Sequence, residues 1–190
     1  MPAMSFPPTR FAAAAALLSL VAVVGCRQAP DEATIEASAA AALKAHGARD
    51  AAVDVGSGGF KATITQGDGR EQKVELGVQA VAPADFALPY YPGANADPDR
   101  TSRMASADGV VSTVVLQSPD AVPQVIEFYR QHARELAQAG SAPTLEVPGA
   151  AGATSFVVAE EASGRATQVH VAPAGPGSEI TLLSTRRVAR

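Results

Sequence analysis

Three features of the sequence predict an α+β fold, in which one main helix covers an antiparallel sheet and a short N-terminal helix and a small β-meander come first. Several short runs alternate apolar and polar residues, as half-buried strands do. Clusters of glycine and other turn-forming residues separate these runs. One segment near residue 130 instead places its apolar residues at helical spacing. A sheet with a helix on one face is therefore the expected architecture.

Composition limits the classes of function. The chain has 190 residues, which is enough for one ordinary domain, and its 15 Lys and Arg against 19 Asp and Glu give a formal charge of −4. Nucleic-acid binding is not expected, because it favours a basic stripe that replaces counterions on phosphates. The one basic concentration comprises Arg186, Arg187 and Arg190, which predicts either a solvated tail or a contact with anionic lipid headgroups.

The N-terminus has the parts of a secretory leader. Arg10 precedes an apolar run over 11–24, and Gly25 is followed by Cys26, the sole cysteine. The run is shorter than the roughly 20 apolar residues that a spanning helix needs. Residues 1–25 therefore predict a signal peptide, although an odd cysteine in an exported protein also permits a buried thiol or an intermolecular disulfide.

The segment Val23-Val24-Gly25-Cys26 resembles the signal peptide of a bacterial lipoprotein. That resemblance implies removal of the leader, palmitate-type acylation of Cys26 and a lipidated tether over 26–30. Arg27 stands where an inner-membrane retention signal would have Asp, so the resemblance implies export to the periplasmic leaflet of the cell outer membrane.

The N-terminal part of the remaining chain predicts a helix followed by three strands. Asp31 can cap a short helix over 31–47, whose weak apolar stripe includes Ile35 and Leu43. From residue 52 the period changes to two, which predicts a β-meander over 52–78. A meander of this size needs a partner surface for stability.

A proline-rich connector over 82–98 separates the meander from an antiparallel α+β domain over 99–190. Tyr91-Pro92-Gly93-Ala94 predicts a type II turn, and Asp108-Gly109 predicts a hairpin between two strands. Asp120 is the expected N-cap of the main helix, which ends at Gly140. Four further strands are expected near 145–147, 154–160, 165–172 and 179–187.

Two segments carry a family resemblance. ADFALPYYPGA, residues 84–94, and SPDAVPQVIEFYRQ, residues 118–131, are similar to segments of a family of bacterial lipoproteins of uncharacterised activity. The resemblance covers most of the chain after Cys26 and implies the same fold, with no known activity. Pro123 and Ala87 depart from the family pattern.

Candidate binding residues are few. Phe86, Tyr90 and Tyr91 could form an aromatic groove for a glycan or peptide, although their inward packing in the core is the alternative. No nucleophile elbow or phosphate-binding loop is evident in the sequence, so no catalytic residue and no cofactor are predicted.

Metal binding is not expected beyond one weak candidate. Asn95, Asp97 and Asp99 match the first, third and fifth ligand positions of a calcium loop, but Arg100 and Ser106 replace its essential Gly and Glu. A weak calcium site or a simple turn remains. His46, His132 and His170 fall on separate predicted elements without zinc-ligand spacing.

These observations favour a membrane-anchored periplasmic lipoprotein that acts as a non-catalytic binding or envelope-interaction module. Its expected partners are membrane lipid, through acylated Cys26, and an envelope protein or glycan. The alternatives are an enzyme or accessory factor acting on cell-wall or lipid substrates, and self-association through an open sheet edge.

Overall fold

A computed structural model of the chain describes residues 31–56, 59–77 and 80–187. Within these ranges the chain forms two α-helices and ten β-strands, so the predicted α+β class is confirmed. The helices are α1 (Glu32–Ala45) and α2 (Val122–Gln138). The strands are β1 (Asp50–Gly56), β2 (Gly59–Thr65), β3 (Glu71–Leu76), β4 (Asn95–Ala96), β5 (Ser102–Ser106), β6 (Gly109–Ser118), β7 (Thr144–Pro148), β8 (Thr154–Glu160), β9 (Arg165–Ala174) and β10 (Gly177–Arg187).

All ten strands belong to one antiparallel sheet. Nine follow the order β1-β2-β3-β5-β6-β10-β9-β8-β7, and the two-residue β4 pairs with β6. The predicted meander is joined to the later strands, because β3 pairs with β5 from Gln72 opposite Ser106 to Leu76 opposite Ser102. The sheet is therefore continuous across the connector at 82–98.

The main core lies between α2 and one face of the sheet. The predicted apolar stripe of α2 is confirmed, since Val125, Ile126, Tyr129 and Ala133 are buried. The apolar side chains beneath it come from four neighbouring strands and are Val114, Leu116, Phe156, Val158, Val169, Val171, Ile180 and Leu182. This side of the sheet is called here the helix-covered face, and the opposite side the outer face.

The start of α2 differs from the prediction. Ala121, not Asp120, is the N-cap residue, and Pro123 lies in the first turn. With Asp120 as cap, the third helical position would be Pro123, which has no N–H to donate to the capping carboxylate. Asp120 instead accepts a hydrogen bond from the Tyr91 hydroxyl at 2.7 Å.

The connector forms part of the core wall. Its buried side chains Phe86, Leu88 and Tyr91, together with Val81 just before it, pack with α2 and the sheet. The predicted turn is present, with the Ala94 N–H donating to the Tyr91 carbonyl at 3.2 Å and Gly93 at φ +75°. The connector thereby holds the hydroxyl of Tyr91 against Asp120.

Helix α1 runs back along the edge strand β1. The Lys44 ammonium lies 2.9 Å from the Asp50 carboxylate at one end, and Glu36 Oε1 accepts the Val55 N–H at 2.8 Å near the other. The predicted stripe is wrong at its first position, because Ile35 is exposed while Glu36 faces the strand. The Glu36 contact satisfies a backbone N–H at a sheet edge, where such groups otherwise favour pairing with another chain.

The two halves of the sheet bury opposite faces. Val74, Met104 and Val111 lie opposite one another across β3, β5 and β6. Val111 and Val114 are three residues apart in β6 and so point to opposite sides. The apolar residues of β1 to β3 therefore lie on the outer face, where Ala51, Ala62 and Val74 are buried.

The two described helices are too short to span a hydrocarbon layer, and no helix within 31–56, 59–77 or 80–187 has the length and hydropathy of a transmembrane segment.

Replacing Tyr129 with Phe is expected to raise the free energy of unfolding by about 1 kcal/mol, because a buried hydroxyl without a partner costs about 1–3 kcal/mol. The Tyr129 hydroxyl lies near the Tyr91 backbone yet forms no hydrogen bond within the described residues. Urea denaturation measures the change. The matched control is Tyr91→Phe, which removes the bond to Asp120 and should lower stability by about 1 kcal/mol. Equal losses in both variants would contradict the assignment.

Replacing Glu36 with Ala should speed amide hydrogen exchange at Val55 by about tenfold, because the edge N–H loses its acceptor. Glu36→Gln retains a side-chain oxygen and is the matched control, so Val55 should stay protected in that variant. Unchanged protection in Glu36→Ala, measured by NMR, would show that α1 does not cover the edge in solution.

Candidate functional site

A shallow, solvent-open depression lies on the helix-covered face, where the connector crosses the sheet. The residues lining it come from four elements and are Asp85, Val110, Ser112, Arg165, Ser184 and Arg186. Arg103 contacts Asp85 at its border, and the whole set is called here the arginine depression.

Strand register brings these side chains together. Ser112 of β6 lies opposite Arg103 of β5 on one side and opposite Ser184 of β10 on the other. One row further along, Arg186 lies opposite Val110 and opposite Arg165 of β9. Residues directly opposite one another point to the same face. Along each strand, these residues alternate in phase with the residues that pack beneath α2, so they lie on the helix-covered face.

Two of the three arginines are neutralised locally. The Arg165 guanidinium pairs with Glu160 and also donates to the Ala84 carbonyl at 2.7 Å. The hydrogen bond that Arg165 donates to Glu160 is the main cause that holds the pKa of the Glu160 carboxyl below its usual range. Arg103 lies 3.5 Å from the Asp85 carboxylate, which also accepts the Ala82 N–H at 2.9 Å.

Arg186 forms no ion pair with another described residue. It stands directly opposite Arg165, and like charges in opposed positions of a sheet destabilise it. With Arg103 paired to Asp85 and Arg165 paired to Glu160, the positive excess of the depression lies at Arg186. A bound anion would offset that charge.

Two buried hydroxyl side chains lie at the base of the depression. Ser112 and Ser184 are 2% and 3% exposed. A serine hydroxyl can donate one hydrogen bond to an oxyanion. Arginine and serine side chains carry the kinds of donor that phosphate and carboxylate groups accept, so this lining is compatible with an oxyanion.

The aromatic candidates lie mainly in the core. Phe86 and Tyr91 are 5% and 7% exposed, and Tyr90 is half-buried with its ring centroid 5.8 Å from that of Phe86. Burial, and secondly the charge of Asp85, raise the pKa of Tyr90 to about 12. The three rings do not form an exposed groove, and Tyr90 alone retains accessible surface.

The calcium candidates occupy a turn. Asn95 lies in β4, and Asp97 accepts the Asp99 N–H at 3.0 Å as the cap of a short 3₁₀ turn over Pro98–Arg100. Across the described ranges, no three His, Cys, Asp or Glu side chains are grouped so that they could hold a metal ion. The Asp97 carboxylate is therefore used for local backbone capping.

A serine and a histidine meet on the outer face. Ser155 Oγ lies 3.0 Å from His170 Nδ1, between β8 and β9. Glu179 lies on the same face in the neighbouring strand β10, but its carboxylate accepts from Arg100 at 2.5 and 2.9 Å and from Gln117 at 2.9 Å. The acid that could orient His170 is thus held by other groups, and the pair lies on a sheet face instead of in a cleft.

Cys26, the predicted lipidation site, lies outside the described residues. Of the histidines, His46 is exposed beyond α1, and His132 Nδ1 lies 2.9 Å from the Phe128 carbonyl on α2. Together with His170 they stay on three separate elements, as the sequence indicated.

Comparison with known proteins adds no functional assignment: no family model, no curated protein and no solved structure matches the chain.

Sequence reasoning missed the arginine depression, although a signal was present. Arg186 has the same parity as Ile180, Leu182 and Ser184 in β10, so alternation alone places it on the side of the buried residues. The C-terminal arginines were instead predicted to form a tail or a lipid contact. An arginine in phase with a buried apolar row is the signal that would have indicated the site.

Proposed function

We propose that this chain is a lipid-anchored cell-envelope protein whose β-rich domain binds an envelope component without catalysing a reaction. The anchor is acylated Cys26, and the periplasmic leaflet of the outer membrane is the proposed address. Support comes from the leader over 1–25, which ends at Gly25 directly before Cys26, and from the short tether predicted over 26–30. A short tether of this kind suits a domain that acts at the membrane surface.

The ligand we propose is an anionic group, a phosphate or a carboxylate, held in the arginine depression. The observation that carries this proposal is the direct opposition of Arg165 and Arg186 on one face of the sheet, beside the buried hydroxyl groups of Ser112 and Ser184. Arg165 is already paired with Glu160, whereas Arg186 has no carboxylate partner among the described residues and would form charge-assisted hydrogen bonds with a bound oxyanion. Its geometry supports binding and supplies no nucleophile activated by a base.

The alternative is an enzyme or accessory factor acting on cell-wall or lipid substrates. It would require titratable groups from separate elements to converge in a deep pocket. Ser155 and His170 are the closest approach to that arrangement in the described part of the chain, and they lie on the outer face with Glu179 held by Arg100. A binding module is therefore the better supported function.

Replacing Cys26 with Ser should abolish incorporation of radiolabelled palmitate and move the protein from the detergent-rich to the aqueous phase, because acyl chains supply the membrane affinity. Labelling in cells followed by detergent phase separation measures both effects. Leader cleavage and membrane retention that persist in Cys26→Ser would contradict the lipid anchor.

Replacing Arg186 with Gln should weaken binding of inorganic phosphate or glycerol phosphate by at least about tenfold, because one charge-assisted donor is lost. NMR titration of the chain from residue 26 onward, carrying Cys26→Ser, measures the affinity through shifts at Ser112 and Ser184. Arg187→Gln is the matched control, since it removes the same charge from the adjacent residue on the outer face. Equal weakening in both variants would indicate general charge attraction instead of a site.

A further inference from the structure

An exposed apolar surface lies at the end of the sheet where α1 begins. Val55, Phe60 and Leu76 are opposite one another across β1, β2 and β3 and point to the outer face. Leu76 is 40% exposed, and Val55 and Phe60 are half-buried. Ile35 of α1 is 39% exposed and precedes Glu36, which bonds to the Val55 N–H. These four residues are called here the apolar end.

The direction of α1 places the start of the described domain at this end. Because Glu36 contacts Val55 while Lys44 contacts Asp50, the helix axis runs antiparallel to β1. Asp31 is five residues before Glu36, which corresponds to about 7.5 Å of helix rise. The chain therefore enters α1 beside the end of the sheet that carries Phe60 and Leu76.

Chain length limits how far this end can move from an anchor. Cys26 precedes Asp31 by five residues, which reach at most about 17 Å when fully extended. With Cys26 acylated, as in the proposed function on which this inference rests, the apolar end is held near the headgroup layer. Tethering raises the effective concentration of a weak contact into the millimolar range, so limited apolar burial suffices to hold it.

We infer that the anchored domain rests its apolar end on the phospholipid surface, with Phe60 and Leu76 in contact with the boundary between headgroups and acyl chains. The contact is apolar, because the exposed charged residues at the start of α1, Asp31 and Glu32, are acidic and would not attract anionic headgroups. The arginine depression, on the helix-covered face, stays directed to a different side of the sheet. The occupant of the apolar end is thus the bilayer itself.

Tryptophan reporters test this contact, because the chain contains no Trp. Phe60→Trp and Leu76→Trp place a reporter at the apolar end, and Leu145→Trp places the control on β7, where Leu145 is 59% exposed at the other edge of the sheet. The full lipidated protein is reconstituted in phosphatidylcholine vesicles with and without brominated acyl chains. Mass spectrometry of the same samples establishes acylation.

Emission at positions 60 and 76 should shift to shorter wavelength and be quenched by brominated lipid at least about twofold more strongly than emission at position 145. Raising the salt concentration should not weaken this quenching. Acylated protein that shows no quenching at 60 and 76, or equal quenching at all three positions, would overturn the lipid contact and leave the anchor standing. A blue shift that depends on protein concentration without lipid quenching would assign the surface to a second copy and overturn it too. Absence of the acyl mass would overturn the anchor and, with it, this inference.

Discussion

Burial of the helix-covered face beneath α2 is the constraint on which the rest of the structure depends. Tyr129 and Val125 of the helix are fully buried, as are Ile180 and Leu182 of the central strand β10. Each such side chain contributes about 1.5–3 kcal/mol when removed from water. With α2 fixed on this side, the connector must close the core beside it, and Tyr91 is held there by Asp120. The arginine depression forms where that cover ends.

The same constraint explains the change of buried face along the sheet. On the part of the sheet formed by β1, β2, β3 and β5, the helix-covered face carries a cross-strand row of alternating charges, Asp54, Lys61, Glu75 and Arg103. Opposite charges in opposed positions stabilise neighbouring strands while remaining compatible with solvent. The apolar residues of β1 to β3 are consequently on the outer face, and α1 contacts the edge strand β1. In β1 to β3, the helix-covered face therefore carries acidic and basic residues, and the outer face carries the apolar end.

Ion pairs connect α2 to β7 and the short 3₁₀ turn over Pro98–Arg100 to β10. Arg130 of α2 pairs with Glu146 of the edge strand β7, and Arg100 pairs with Glu179 of β10. Hydrogen bonding to these arginines holds the pKa of both carboxyls below the ordinary value of 4.5. A carboxyl whose pKa is lowered by folding stabilises the protein at pH values above the pKa that this carboxyl has in the unfolded chain. That contribution is lost as the pH falls through the lowered pKa. These two ion pairs therefore stabilise the structure at neutral pH, and their contribution is lost in acid.

The sequence by itself determined the α+β class, the positions of most strands and the apolar stripe of α2, because local periodicity and turn residues are properties of neighbouring residues. It also predicts lipid attachment at Cys26, which lies outside the described residues. The alternation in β10 grouped Arg186 with Ile180 and Leu182, yet alternation cannot say which rows of other strands lie opposite. Register placed Arg186 against Arg165 and Phe60 against Leu76, and in these hairpins the type and length of the turn set the register. Only the tertiary structure decided that the arginine depression and the apolar end exist. The first needs the connector and β6 beside β9 and β10, and the second needs α1 beside β1, and local alternation specifies neither contact.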